Sequence, residues 1–255
     1  MCRIKGDFMN SKPNNDMIFG TRAIIESIQS GKTLDKLLLQ TNLKNDLIKE
    51  LIDLCKEREV PYSKVPVEKL NRITRKNHQG VIAFISAVHY ATLENVVAAT
   101  YERGSIPLFL MLDRVTDVRN FGAIARSAEC AGVHGIIIPS KGSAAINSDA
   151  MKTSAGALNY IPICREDNLK TAIRYLQDSG IQVVACTEKT DDLLYSADFE
   201  QPTAILMGSE EDGVSPEYLK MVDAKVAIPM TGQIGSLNVS VSAGVAIYEV
   251  IRQRG

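Results

Sequence analysis

The 255 residues include no tryptophan, only three histidines (His78, His89 and His134) and five cysteines. So few histidines leave little room for a metal centre or a histidine base. Cys2, Cys55, Cys130, Cys164 and Cys186 are odd in number and scattered, and none forms a Cys-x-x-Cys pair. This excludes a disulfide framework and a zinc site, and suits reduced thiols in a cytoplasmic protein. Long apolar runs are missing too. The longest, Ile106 to Leu112, falls far short of the roughly 20 residues that span a bilayer, so no membrane association is expected. The start, Met1-Cys2-Arg3-Ile4-Lys5-Gly6-Asp7, lacks the apolar stretch of a secretory signal, and residues 1–15 read as a loose polar tail. Neither sign of charge dominates, the formal net charge being −1.

What is present is an ordinary globular composition, 45% hydrophobic and 23% charged, with an uneven charge distribution. Through residue 105 there are 16 Lys and Arg against 12 Asp and Glu, a balance of +4 that leaves −5 for the remainder. Lys64, Lys69, Arg72, Arg75 and Lys76 are opposed only by Glu68. A local cationic surface is what phosphate contact requires, although a charge run is also compatible with a merely solvated face.

The pattern divides the chain into a small α/β segment at 16–90, a connector at 91–105 and a larger α/β domain at 106–255. In the first, the strand-like pieces are Leu37–Leu39 and Val81–Ile85. A helix is predicted over Leu43–Arg58, with Leu47, Leu51 and Leu54 on one stripe. A short helix, Leu93–Arg103, occupies the connector and ends at Gly104. Beyond Ile106 strands and helices alternate. Strands are predicted at Leu108–Leu112, Gly135–Pro139, Tyr160–Cys164, Gln182–Cys186, Ala204–Met207 and Ala224–Ile228, and helices at Phe121–Ala131, Leu169–Ser179 and Asn238–Arg252. Continuous apolar strands imply a parallel sheet covered on both faces, with ligands at the carboxyl ends of its strands.

Three segments follow strand ends. In the first, 112–128, Asn120 is a candidate helix cap; Phe121, Ile124, Ala125 and Ala128 form an apolar stripe, while Arg119 and Arg126 project together from the other side. Paired guanidiniums can grip phosphate, or can simply be solvated. In the second, 205–216, a buried strand ends in Gly208 and enters a turn carrying Glu210, Glu211 and Asp212. Glycine lets a ligand approach the backbone, and three carboxylates disfavour phosphate but suit a neutral or cationic ligand. The turn matches neither a dinucleotide fingerprint nor a Walker loop. Ser215 is a candidate cap for a helix starting at Pro216. In the third, 228–249, a two-glycine loop leads into a helix whose start carries Ser236, Asn238, Ser240 and Ser242. A cap accounts for one of these four. Ser240 and Gly244, four apart, leave a helix face open to close approach.

In order and spacing these segments resemble motifs one, two and three of the SpoU/TrmH family of RNA 2′-O-ribose methyltransferases. Ser236-Leu237-Asn238-Val239-Ser240 after Ile228-Pro229-Met230 is the most specific stretch. Phe19-Gly20 before a helix, and His78-Gln79-Gly80-Val81, resemble the substrate-binding domain of the RlmB-like branch. The resemblance implies a trefoil-knotted α/β methyltransferase domain with a small N-terminal substrate-binding domain, acting as a homodimer. It implies S-adenosyl-L-methionine as cofactor, held at Met207, Gly208, Ile228, Met230, Ser236 and Leu237. Asn120, Arg126, Glu210, Ser236 and Asn238 fall at its catalytic and RNA-handling positions. Asn120, Ser236 and Asn238 would orient loop and ribose, Arg126 would fix a nearby phosphate, and Glu210 would hold Arg126 or the loop. Lys64, Lys69, Arg72, Arg75, Lys76 and Arg119 then become RNA-binding residues. Two positions depart from the family pattern, Val118 where proline is frequent and Glu211 where glycine is.

The expected activity is 2′-O-methylation of structured RNA, a guanosine of large-subunit ribosomal RNA. The alternatives are transfer RNA as substrate, a non-catalytic RNA-binding factor of the same fold, and a doubly wound enzyme with a nucleotide cofactor. No metal is expected.

Overall fold

A computed structural model describes residues 17–255, so the expected tail at 1–15 lies outside the described residues. The chain divides into two units, one ending at Ile85 and one beginning at Ser86.

The first unit runs β1 (Met17–Phe19), α1 (Thr21–Gln29), β2 (Leu34–Gln40), α2 (Asp46–Glu57), β3 (Tyr62–Val65), α3 (Val67–Ile73) and β4 (Val81–Ile85). Its sheet has the order β1-β4-β2-β3, with β4 antiparallel to β1 and β2, and β3 parallel to β2. The period-two alternation of a strand sorts the side chains. Leu37 and Leu39 meet Ile24, Ile28, Ile48 and Leu51 of the helices on one face, while Leu38 and Ile82 meet Val65 and Leu70 on the other. Helix α2 starts three residues later than predicted, because Asn45 caps it by accepting a 2.9 Å bond from the Ile48 amide. Its most buried residues are Ile48, Leu51 and Cys55, with Leu47 and Leu54 half-buried beside them.

The second unit begins with β5 (Tyr90–Ala91) and α4 (Leu93–Glu102). This corrects the connector expected at 91–105. Strand β5 pairs with a strand of the large sheet, and α4 buries Leu93 and Val97 against the same core as Phe109 and Met111. Apolar residues four apart on a helix demand such a partner. There follow β6 (Leu108–Leu112), α5 (Val118–Cys130), β7 (Gly135–Pro139), α6 (Ser148–Thr153), β8 (Ile163–Glu166), α7 (Leu169–Asp178), β9 (Gln182–Cys186), β10 (Thr203–Met207), α8 (Pro216–Leu219), β11 (Ala224–Val226) and α9 (Val239–Arg254). The sheet order is β11-β9-β10-β6-β7-β8-β5, and every pairing is parallel.

Both faces are covered, which explains the unbroken apolar strands. Leu108, Leu110 and Leu112 of β6 pack with α5 and α9, and Phe109 and Met111 pack with α4 and α7. Three strands of this sheet differ from their expected bounds, β10 by starting one residue earlier at Thr203. Strand β8 starts at Ile163 because residues 157–159 form a 3-10 turn, Tyr160 is exposed and Pro162 has no amide hydrogen for a ladder. Strand β11 ends at Val226, after which Ala227 keeps only an isolated bridge to Leu193 before Pro229. Among the described residues no helix is long and apolar enough to cross a membrane.

Candidate functional site

Strands β6, β7 and β8 run outward on one side of the sheet, and β10, β9 and β11 on the other. A parallel sheet opens a crevice where its order reverses, at the carboxyl ends of the strands. A cavity of about 330 Å³ lies at the carboxyl ends of β9, β10 and β11. Its walls include Cys186, Thr187 and Glu188 after β9, the turn from Met207 through Glu211, and Ile228, Met230, Ser236 and Leu237 of the loop before α9. All six positions that the resemblance assigns to the cofactor line this one cavity.

The turn after β10 is held very tightly. A Cβ at Gly208 would lie 2.0 Å from the Gly213 carbonyl carbon and 2.1 Å from the Val214 nitrogen. Ser209 and Gly213 exchange backbone hydrogen bonds of 3.2 and 3.0 Å, and Gly213 takes a φ of +66°. The loop from 228 to 238 belongs to no helix or strand, so its peptide groups are available to a ligand.

Three side chains from three segments, the first turn of α5, the turn after β10 and the loop before α9, meet at the rim. Glu210 Oε1 accepts from Asn120 Nδ2 at 2.7 Å and from Asn238 Nδ2 at 2.8 Å, and Asn238 Nδ2 also donates to Asn120 Oδ1 at 3.1 Å. Asn238 Oδ1 caps α9 by accepting from the Ser240 amide at 2.9 Å, and takes the Ser240 hydroxyl at 2.6 Å. Each of the four polar residues at this helix start therefore has a place: Asn238 caps, Ser240 braces it, and Ser236 and Ser242 line the cavity. A second cavity of about 240 Å³ lies beside the first, between Arg114–Asp117 with Asn120 and the turn Ser209–Asp212, and Glu210 borders both.

Several expectations are corrected. Asn120 does not cap α5, because Asp117 does, accepting from the Arg119 and Asn120 amides at 2.8 Å each. Asn120 thus sits inside the first turn, its side chain left for Glu210. Ser215 makes no side-chain cap to α8, and its hydroxyl donates to Asp113 instead. The face expected to be open at Ser240 and Gly244 is not closed by this chain, since a Cβ at Gly244 would meet nothing within 4 Å. Glu210 holds the two asparagines rather than Arg126. Arg126 is exposed on α5, six residues beyond Asn120, which turns it about 120° away around the helix axis. Arg119 is exposed on the same helix face as Arg126.

In the first unit, Lys64 lies on β3, Lys69 and Arg72 on α3, and Arg75 and Lys76 just beyond it, all exposed. Lys76 Nζ stands 5.5 Å from the centroid of the Phe19 ring. His78 is buried; its Nδ1 accepts from the Gly80 amide at 3.0 Å, and its Nε2 lies 2.9 Å from Asn71 Oδ1.

Sequence reasoning missed Glu188, Asp113, Arg114 and Asp117. An acid placed directly after a continuous apolar strand, as Asp113 is after Leu112, is the signal that could have found one of them. Burial and then Glu188 push the Cys186 thiol in the cavity wall up to about 11, which keeps it protonated at neutral pH. Among the described residues no cluster of His, Cys, Asp or Glu could hold a metal ion.

The fold and site define an α/β protein of two units, the larger with a cavity at the carboxyl ends of β9, β10 and β11 in a parallel sheet. Residues 107–248 match the SpoU rRNA methylase family, and residues 17–91 match the family described as RNA 2′-O ribose methyltransferase substrate binding. A Bacillus subtilis (strain 168) protein, YacO, whose name places it in the TrmH family of tRNA/rRNA methyltransferases, is 34% identical over 240 residues, covering 94% of this chain and 96% of the relative. Among solved structures, the SpoU methyltransferase AviRb from Streptomyces viridochromogenes, in complex with AdoMet, superposes with a TM-score of 0.59 at 25% identity, covering 93% of this chain and 90% of that one. The AdoMet-bound rRNA methyltransferase from Sinorhizobium meliloti gives 0.57 at 26% identity, covering 92% and 86%. The chain belongs to the SpoU/TrmH family of RNA methyltransferases.

Proposed function

We propose that this protein transfers a methyl group from S-adenosyl-L-methionine to a ribose 2′-hydroxyl of structured RNA, a guanosine of large-subunit ribosomal RNA, in the cytoplasm. The observation that carries this is the cavity at the ends of β9–β11, bordered by the Asn120–Glu210–Asn238 cluster. Its lining suits the donor. Met207, Ile228, Leu237 and Val239 offer apolar surface to an adenine, and Glu188, Glu210 and Glu211 offer negative charge to a sulfonium and an ammonium.

When bound, the donor supplies an electrophilic methyl that the 2′-oxygen takes by in-line displacement. The chain's own groups then have to align that oxygen and manage one proton. Asn120 and Asn238, locked by Glu210, present amide groups at the rim to orient the ribose, with Ser236 beside them. A guanidinium holds its protons too firmly to serve as a simple base, which leaves Arg126 a different task. Its exposed place next to Arg119 suits a grip on RNA phosphate through its planar fork. Arg126→Lys is therefore expected to lower kcat/KM for RNA about tenfold with donor affinity unchanged. Near-normal transfer by that variant would disprove the fork role.

The first unit supplies RNA contact through Lys64, Lys69, Arg72, Arg75 and Lys76, which position the substrate without reading its sequence. Reversing the charge of Arg72, Arg75 and Lys76 is expected to weaken RNA binding at least tenfold while calorimetric uptake of S-adenosyl-L-methionine persists. Loss of both would point to misfolding instead.

A homodimer and a knotted C-terminal unit belong to the same proposal. Support for the dimer comes from α9 and the loop before it, where Ile234 (77%), Val241 (50%) and Tyr248 (52%) are exposed around Gly244, which leaves room for a neighbouring backbone. Incubating the protein with labelled S-adenosyl-L-methionine and unmodified ribosomal or transfer RNA, then mapping the label, tests the function. Label on a guanosine ribose of large-subunit RNA is expected. Label on transfer RNA would move the substrate, and no label on either would refute methyl transfer.

A further inference from the structure

The dipeptide after β6 reaches across to the turn after β10 and fastens it at three places. The Asp113 amide donates to Met207 O at 2.8 Å, where the turn begins. Asp113, 2% exposed, accepts from the Ser215 amide at 2.8 Å and hydroxyl at 2.6 Å through Oδ2, where the turn ends. Arg114 takes the tip: Nη1 donates to Asp212 Oδ2 at 2.8 Å and Nη2 to Gly213 O at 3.2 Å, while Nε donates back to Asp113 Oδ1 at 3.2 Å. Lys189 Nζ adds a 3.0 Å bond to Asp212 O. Arg114 holds this pose at a φ of +57°, a backbone region unusual for a residue with a side chain and one that persists only where the surroundings enforce it.

Between these fastenings lie Gly208, Ser209, Glu210 and Glu211, which wall the cavity. The Arg114 and Asp212 side chains are 37% and 68% exposed, and an ion pair that open to water adds little to stability. Its consequence is geometric: it sets where the turn sits.

We propose that Arg114, braced by Asp113, is a positioning residue that sets the Gly208–Ser215 turn against the methyl donor. The inference rests on donor binding in this cavity, as proposed above. Without the fork the turn keeps its Asp113–Ser215 anchor but its tip swings, so the wall must be ordered each time a donor enters. The cost falls on donor affinity more than on the reacting geometry once the donor is in place. Lysine cannot substitute, since one ammonium cannot reproduce the planar arrangement of three N–H groups on Asp113, Asp212 and Gly213.

The test is calorimetric titration of the full chain with S-adenosyl-L-methionine, with steady-state transfer to RNA and thermal melts alongside, for wild type, Arg114→Ala, Arg114→Lys, Asp212→Ala and the double variant Arg114→Ala with Asp212→Ala. Both Arg114 variants are expected to raise Kd and KM for the donor at least tenfold, while kcat at saturating donor falls less than threefold and the melting temperature holds. Asp212→Ala is expected to raise Kd less, and the double variant to be no weaker than Arg114→Ala, the non-additivity of partners in contact. A donor Kd within twofold of wild type in Arg114→Ala overturns the inference, and so does a fall in kcat and melting temperature together without a KM change. If wild type itself takes up no donor, the proposed function fails and this inference falls with it.

Discussion

Gly208→Ala is expected to abolish measurable uptake of S-adenosyl-L-methionine and to destabilise the second unit. A Cβ there would sit 2.0 Å from Gly213 C, 2.1 Å from Val214 N and 2.3 Å from Gly213 O, all backbone atoms with no rotamer to yield. Relief requires the turn to open. That breaks the paired Ser209–Gly213 hydrogen bonds and pulls Gly213 away from Arg114. Forced overpacking of this kind costs about 1–3 kcal/mol, and each kcal/mol lowers the melting temperature by roughly 2–4 °C in a protein near this size. Donor affinity should suffer more, because the displaced residues are the cavity wall itself. Calorimetry beside a thermal melt separates the two effects. An alanine variant that titrates like wild type would show that the turn relaxes freely, and the picture of a rigid wall would be wrong.

The strands were the most legible part of the chain. Leu108–Leu112, Gly135–Pro139 and Gln182–Cys186 are apolar runs or nearly so, and each forms a strand with the predicted bounds, because covering by helices on both sides leaves no polar face to blur the edges. Helix starts were less legible. Asp117 and Asn120 are equally good caps by residue type, and only the fold decides between them: Asp117 satisfies two amides, which leaves Asn120 to reach Glu210, 90 residues away.

The acidic turn shows the same limit. Read locally, Glu210, Glu211 and Asp212 are one block of negative charge. In the fold their tasks differ: Glu210 gathers two asparagines, Asp212 takes the Arg114 fork and Glu211 borders both cavities. The pairings that make the difference span 28 residues for Glu210 with Asn238, 90 for Glu210 with Asn120 and 98 for Asp212 with Arg114, beyond the reach of any periodicity. What the motif resemblance supplied was the position of the cavity wall; it could not supply the Asp113–Arg114 brace, whose partners lie on another loop.

Glu210→Ala should separate activity from stability in the opposite sense to Gly208→Ala. The carboxylate is exposed, so its loss should change folding free energy by no more than about 0.5 kcal/mol, as surface substitutions generally do. Its Oε1 is nevertheless the common acceptor that holds the Asn120 and Asn238 amides within 3.1 Å of each other. With alanine the turn after β10 loses the charge-assisted bonds that join it to both amides, and Asn120 is held only by Asn238, whose side chain still caps α9. A misplacement of about 1 Å at a reacting centre can cost on the order of 100-fold in rate. Transfer of label to RNA at saturating donor is therefore expected to fall about 100-fold while the melting curve stays in place. Glu210→Gln, which keeps the acceptor oxygen and loses only the charge, should retain an intermediate rate. Full turnover by Glu210→Ala would mean that the asparagines do not need to be held, and the rim cluster would then have no part in aligning the ribose.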